Sequence, residues 1–126
     1  MSALKDLLVL FVDDDEELRK LFGRWAKWAG LRLDLAADGV AALTLARAKP
    51  YDVVLFDLRM PKMDGPTFYS ELKRERPELA RHAVALTGDV SAEFVQRFLA
   101  EARCRWLLKP FEFQDVARAI EGAWAA

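Results

Sequence analysis

Apolar residues fall along this chain in two rhythms. Residues 7–12 and 53–56 are unbroken apolar runs, the pattern of parallel strands covered on both faces. Each ends on acid: Asp13 and Asp14 after the first, Asp57 after the second. From Asp15 the rhythm changes. Leu18, Leu21, Phe22 and Trp25 recur three and four apart, Arg19, Lys20, Arg24 and Lys27 turn elsewhere, and Gly30 stands where a helix would end. Leu31, Leu33 and Leu35 then alternate with Arg32, Asp34 and Ala36, which predicts a half-exposed strand at a sheet edge. Residues 38–49 read as a small Ala-rich helix, stopped near Pro50.

The second half repeats the scheme. A helix is expected from Asp64, with Phe68 and Leu72 on one face, then a strand at 84–86 ending at Thr87. Ser91 suits the N-cap of a helix running to Glu101, with Glu93 in its first turn. A short strand at 106–108 ends at Lys109-Pro110, and Phe113, Val116 and Ile120 line a last helix. Strand and helix alternate five times without a linker or low-complexity segment, so residues 1–126 form one α/β domain with a parallel sheet. Right-handed crossovers place helices on both faces. The amphipathic second strand belongs at an edge and the apolar first and third in the centre. The predicted fold is thus a doubly wound, flavodoxin-like sheet of order 2-1-3-4-5; a closed barrel needs more strands.

Composition narrows the function. The chain has 126 residues, 53% hydrophobic and 31% charged, as expected of one globular domain. Its net charge of −1 gives no basis for binding nucleic acid or an anionic membrane. The single cysteine, Cys104, allows no internal disulfide and fits a reducing compartment. Apolar runs are too short to span a bilayer and residues 1–8 lack a signal-peptide layout, so a cytoplasmic location is expected.

Chemistry in an open parallel sheet collects beyond the carboxyl ends of its strands. There the chain sets Asp13 and Asp14, Asp57, Thr87 and Lys109, on four different strands. Three carboxylates so close repel one another, and a divalent cation removes the conflict. An all-oxygen donor set, with no nearby histidine or thiolate, selects Mg²⁺, or Mn²⁺, over zinc. Mg²⁺ commonly shares its shell with phosphate oxygens, which Thr87 can bind and Lys109 can neutralise. Asp57 is the carboxylate flanked by the most apolar sequence, and a carboxylate can attack phosphorus to give an acyl phosphate.

These residues resemble the response-regulator receiver domains of two-component signalling. The similarity covers essentially the whole chain and is carried by VDDD at 12–15, VVLFDLRMPKMDG at 53–65, LTG at 86–88 and LLKPF at 107–111. The resemblance implies that Asp57 accepts a phosphoryl group from a histidine on a sensor kinase or phosphotransfer protein. It implies that Asp14, Asp57 and the backbone carbonyl of Arg59 hold Mg²⁺ directly, with Asp13 acting through water. Thr87 and Lys109 would bind the phosphoryl oxygens, and Trp106 falls at a switch position that commonly carries Tyr or Phe. A cis Lys109-Pro110 bond and a downstream protein target docking on the last helices are also implied, with no output domain following. Arg103 departs from the pattern, standing where the family usually has Gly.

Taken singly the same residues have plainer readings. Asp13–Glu17 could decorate a helix N-terminus, Asp57 and Thr87 could be turn residues, Lys109 a surface charge, Trp106 packing. Trp25 and Trp28 are expected to be partly core, Cys104 a small buried filler, and His82 structural. A Mg²⁺-dependent phosphohydrolase and a flavodoxin-like cofactor binder remain as alternatives. The first needs a second acid or base, and the second a loop of backbone N–H groups where this chain is acidic. Finally, Arg59 and Asp89 each lie two residues beyond a site residue, on neighbouring strands. They are expected to face each other across the mouth and to set the lifetime of the acyl phosphate.

Overall fold

The computed structural model describes residues 4–126, so residues 1–3 of the expected domain lie outside it. The chain runs β1 (Leu8–Val12), α1 (Glu16–Ala29), β2 (Arg32–Ala36), α2 (Gly39–Ala48), β3 (Val53–Asp57), α3 (Gly65–Glu75), α4 (Pro77–Ala80), β4 (Ala83–Thr87), α5 (Glu93–Ala102), β5 (Arg105–Leu108) and α6 (Phe113–Ala125). Every strand pairing is parallel, and the sheet order is β2-β1-β3-β4-β5, as the strand patterns predict. The register aligns Val12 with Phe56, Asp57 with Leu86 and Thr87 with Leu108, so these strands end at one level.

Alternation along the central strands sends side chains into two cores. Val9, Phe11, Val53, Leu55, Val84 and Leu86 pack with Phe22 and Ala26 of α1 and with Val116, Ile120 and Ala123 of α6. Leu10, Val12, Val54, Phe56 and Ala85 pack on the other face with α2, α3, α4 and α5, through residues such as Leu43, Phe68, Leu79 and Phe98. Phe22 stacks on Phe11 at 3.8 Å between centroids, and Trp25 stacks on Phe113 at 5.2 Å. Burial at this scale, roughly 25 cal/mol per Å² of apolar surface, is what orders the helices; their propensities alone would not.

The structure corrects the sequence reading in four places. Trp28 is 84% exposed and Leu21 45%. The buried stripe of α1 runs through Phe22 and Ala26, with Leu18, Trp25 and Ala29 beside it, and both residues fall outside it. Ser91 does not cap α5: the N-cap is Ala92, with no side-chain hydrogen bond, because the Ser91 hydroxyl is donated to the Asp89 carboxylate instead. The four-residue α4 was not foreseen; Pro77 opens it. Cys104 is half-buried rather than fully buried, with its thiol donating to the Ala83 carbonyl. Other expectations hold. Gly30 ends α1 at φ 81°, His82 is bonded to the Ala123 carbonyl and set against Trp124, and Lys109-Pro110 is cis; Arg103, standing where the family usually has Gly, takes a left-handed φ of 54°.

Candidate functional site

Among the described residues, three polar or charged side chains are buried: Asp13, Asp57 and Thr87. All three stand at the carboxyl ends of central strands, directly after β1, at the end of β3 and at the end of β4. Polar groups are buried at a cost, so their concentration at one sheet edge marks a site rather than a packing solution. Carboxylate oxygens of Asp13, Asp14 and Asp57 lie within 4.8 Å of one another, with Asp14 at the solvent side.

The backbone explains why Asp57 is held so firmly. Leu58 N–H donates to the Leu86 carbonyl, continuing the sheet, and Gly65 N–H donates to the Leu58 carbonyl, folding the loop back. A Cβ on Gly65 would lie 2.5 Å from Leu58 Cα and 2.7 Å from the Asp57 carbonyl oxygen, so only glycine lets the start of α3 press against this strand end. Asp64 caps α3 by accepting from Thr67 N–H at 2.8 Å. Arg59 N–H points to the Asp57 carboxylate at a long 3.5 Å.

Lys109 reaches the cluster from the end of β5, where its N–H donates to the Thr87 carbonyl at 2.7 Å. Its ammonium lies 2.6 Å from Asp13 Oδ2 and 3.4 Å from Asp57 Oδ2. Burial pulls its pKa down, but the Asp13 hydrogen bond and the Asp57 charge outweigh that and hold it above the ordinary lysine value. In Asp57 the balance of causes is reversed. Burial is the main cause and the Asp13 charge adds to it, so that despite Lys109 its pKa is pushed up to about 6. One ammonium against three carboxylates leaves the pocket short of positive charge. Oxygen donors alone, held close and under-neutralised, fit a hard divalent cation such as Mg²⁺.

At the mouth, Thr87 Oγ1 accepts from Asp89 N–H at 3.2 Å. The Arg59 guanidinium lies 3.9 Å from Asp89 Oδ2 and 4.9 Å over the Phe94 ring of α5. The two residues expected to face each other across the entrance do so. Trp106 is 45% exposed beside Ala85, on the α5 side of β5. His82 lies at the amino end of β4, away from the cluster, so the imidazole offers no second base to a phosphohydrolase. Sequence reasoning missed Arg19. Its guanidinium turns back along α1 and donates to the Asp13 carbonyl at 2.8 Å.

Comparison with known proteins decides the family. A model of the response regulator receiver domain matches residues 9–121. The chain belongs to the response regulator receiver family. It is 30% identical to the probable methanogenesis regulatory protein FilR2 of Methanothrix harundinacea, over 96% of this chain and 83% of that protein. It is also 30% identical to the sensor kinase CckA of Brucella abortus, over 90% of this chain but only 12% of that protein. Receiver domains thus match it both within regulators and within a much longer kinase. The receiver domain of a sensor histidine kinase from Pseudomonas aeruginosa, 24% identical, superposes with a TM-score of 0.84 over 96% of this chain and 99% of that one. That structure has a magnesium ion coordinated in its active-site cleft. This receiver is a signalling domain of two-component systems, and its acidic pocket fits phosphoryl acceptance and Mg²⁺ binding.

Proposed function

We propose that Asp57 is the phosphoacceptor of this receiver and that a sensor histidine kinase or histidine phosphotransfer protein is the donor. An Asp57 oxygen bonds to phosphorus as the P–N bond to the donor imidazole breaks, the ring leaving with the electron pair. The observation that carries this reading is the setting of Asp57. It is 7% exposed and ends a fully buried strand, with Asp13, Asp14 and Lys109 around it and Thr87 ending the neighbouring strand. A pKa near 6 leaves it largely ionised, and so nucleophilic, at neutral pH.

Thr87 donates to one phosphoryl oxygen and the Lys109 ammonium to another, offsetting the charge that arrives. Asp14, Asp57 and the Arg59 backbone carbonyl would hold Mg²⁺, or Mn²⁺, and Asp13 would act through water, since its oxygens already accept from Lys109 and from Asp15 N–H. Bound there, the cation screens the carboxylates from the incoming phosphoryl oxygens. Arg59 and Asp89 gate the water that later hydrolyses the acyl phosphate, so the domain shares in its own dephosphorylation without being a separate enzyme. Phosphorylation switches a surface formed by α5, β5 with Trp106, and α6 toward a downstream protein target, with neither nucleic acid nor membrane as a direct partner. The domain occupies residues 1–126 and works in the cytoplasm. Among the described residues, no helix is long and apolar enough to cross a membrane.

The test is incubation with acetyl phosphate and Mg²⁺. One acid-stable, base-labile phosphoryl group is expected, absent from Asp57→Asn and mapped to Asp57. Undiminished labelling of Asp57→Asn, or labelling of a Ser or Thr, would refute the assignment.

A further inference from the structure

Asp14 is exposed, and its carboxylate has no hydrogen-bond or ion-pair partner among the described residues. Only the backbone beneath it can aim it. That backbone is the Asp13–Asp14 peptide, and every polar group of Asp13 is tied down. Its N–H donates to the Ala36 carbonyl at 3.1 Å, its Oδ1 accepts from Asp15 N–H at 3.0 Å, and its Oδ2 accepts from Lys109 at 2.6 Å. Its carbonyl accepts from Arg19 at 2.8 Å. This last bond sets the plane of the peptide that carries Asp14. Arg19 is half-buried and sits in the opening turns of α1, where a cation gains nothing from the helix dipole. No carboxylate of the described residues lies within ion-pair distance of it. Its guanidinium therefore serves the carbonyl rather than a charge.

We propose that Arg19 is a positioning residue for cation binding: by clamping the Asp13 carbonyl it holds the Asp13–Asp14 peptide in the orientation that points the Asp14 carboxylate at Asp57. This rests on the reading of the acidic cluster as a Mg²⁺ site. Arg19 touches neither the cation nor the phosphoryl group, and acts through Asp14. Hydrogen-bond partners that orient metal ligands commonly change affinity by about tenfold or more when removed.

The sign of the effect separates positioning from the alternatives. Removing a positive charge near three carboxylates would by itself tighten cation binding, so weakening in a variant that remains fully folded points to a lost orientation. Titration calorimetry with Mg²⁺ on the full chain, beside thermal melts, gives the test. Arg19→Met, which keeps the stem but has neither donor nor charge, is expected to weaken Mg²⁺ binding by about tenfold. Arg19→Lys, which keeps a donor able to reach the carbonyl, is expected to recover most of that loss, and it serves as the folded probe if Arg19→Met melts too low to titrate. Unchanged affinity with a lowered melting temperature would show that Arg19 only braces α1, and would overturn the proposal. Tighter binding in Arg19→Met would show a purely electrostatic role and overturn it equally. Failure of the unsubstituted protein to bind Mg²⁺ would overturn the metal-site reading and this role together.

Discussion

The helices α1 and α5 both rise from loops that line the acidic pocket, and they are built to opposite standards. The Asp15 carboxylate caps α1, accepting from the N–H groups of Glu17 and Leu18, and Gly30 closes it in the left-handed conformation. Its buried stripe is anchored by Phe22 stacked on Phe11. By contrast α5 begins at Ala92 without a side-chain cap and ends at Arg103, which takes the same left-handed conformation at φ 54° with a Cβ in the way. The strand after α5 is also the least covered: β4 is buried throughout, whereas Trp106 and Leu108 of β5 are 45% and 47% exposed. The difference teaches where the domain places rigidity. The carboxylates need fixed positions against one another, so the β1–α1 side is over-determined. The Thr87 side leads into elements held by fewer of these interactions, the side that the proposed function makes responsive when the pocket fills.

The largest effect expected from disturbing this contrast is on the rigid side. Folded Asp57 has a pKa of about 6 against an ordinary 3.8. Between those values the folded state keeps a proton that the unfolded state has released, so stability falls as pH rises from about 4 to about 6 and stays lower above. Asp57→Asn removes that loss. Without Mg²⁺ its melting temperature at pH 7 is expected to exceed that of the unsubstituted protein by on the order of 5–10 °C. The gap should close at pH 4; an equal gap at both pH values would refute a buried, strained Asp57.

Smaller changes come from exchanging the caps. Gly30→Ala puts a Cβ into a left-handed position and is expected to cost about 1 kcal/mol, whereas Arg103→Gly removes one and should stabilise by a similar amount. Ala92→Ser supplies the missing N-cap and is expected to add about 1 kcal/mol. Urea melts measure all three. Destabilisation by Arg103→Gly would show that α5 is as well adapted as α1 and erase the contrast.

The smallest stability effects belong to the mouth. The Arg59–Asp89 pair is exposed and contributes little to folding. Arg59→Ala and Asp89→Ala are nevertheless each expected to change the dephosphorylation rate several-fold at nearly constant Mg²⁺ affinity, and the double variant should be non-additive. Strictly additive rates would leave two independent residues rather than a gate.

Much of this was legible from residues alone, for reasons that also explain the gaps. Runs such as 53–56 admit few structures besides a buried strand, and the parallel sheet brings Asp13, Asp57, Thr87 and Lys109 together wherever their strands pair. The family resemblance supplied the roles of Arg59 and Trp106. The rest depended on competition or reach. Ser91 satisfies the local rule for an N-cap, but Asp89 takes its hydroxyl first. Trp28 invited burial by its type, though its place on the helix lies off the stripe. No periodicity announces a helix as short as α4. Arg19 reads as a solvent-facing charge because helical spacing gives the direction in which a side chain leaves the helix; it gives no sign that a long one will fold back to a carbonyl six residues earlier in sequence.

The proposed function requires that occupancy of Asp57 be read through α5 and β5 and not through α1. Hydrogen–deuterium exchange with and without beryllofluoride and Mg²⁺ tests it most directly, since beryllofluoride stands in for the acyl phosphate. Protection is expected to change most across residues 89–108, with residues 16–29 almost unaffected. Equal changes in both segments, or changes confined to the loops that hold Asp13, Asp14 and Asp57, would contradict the account.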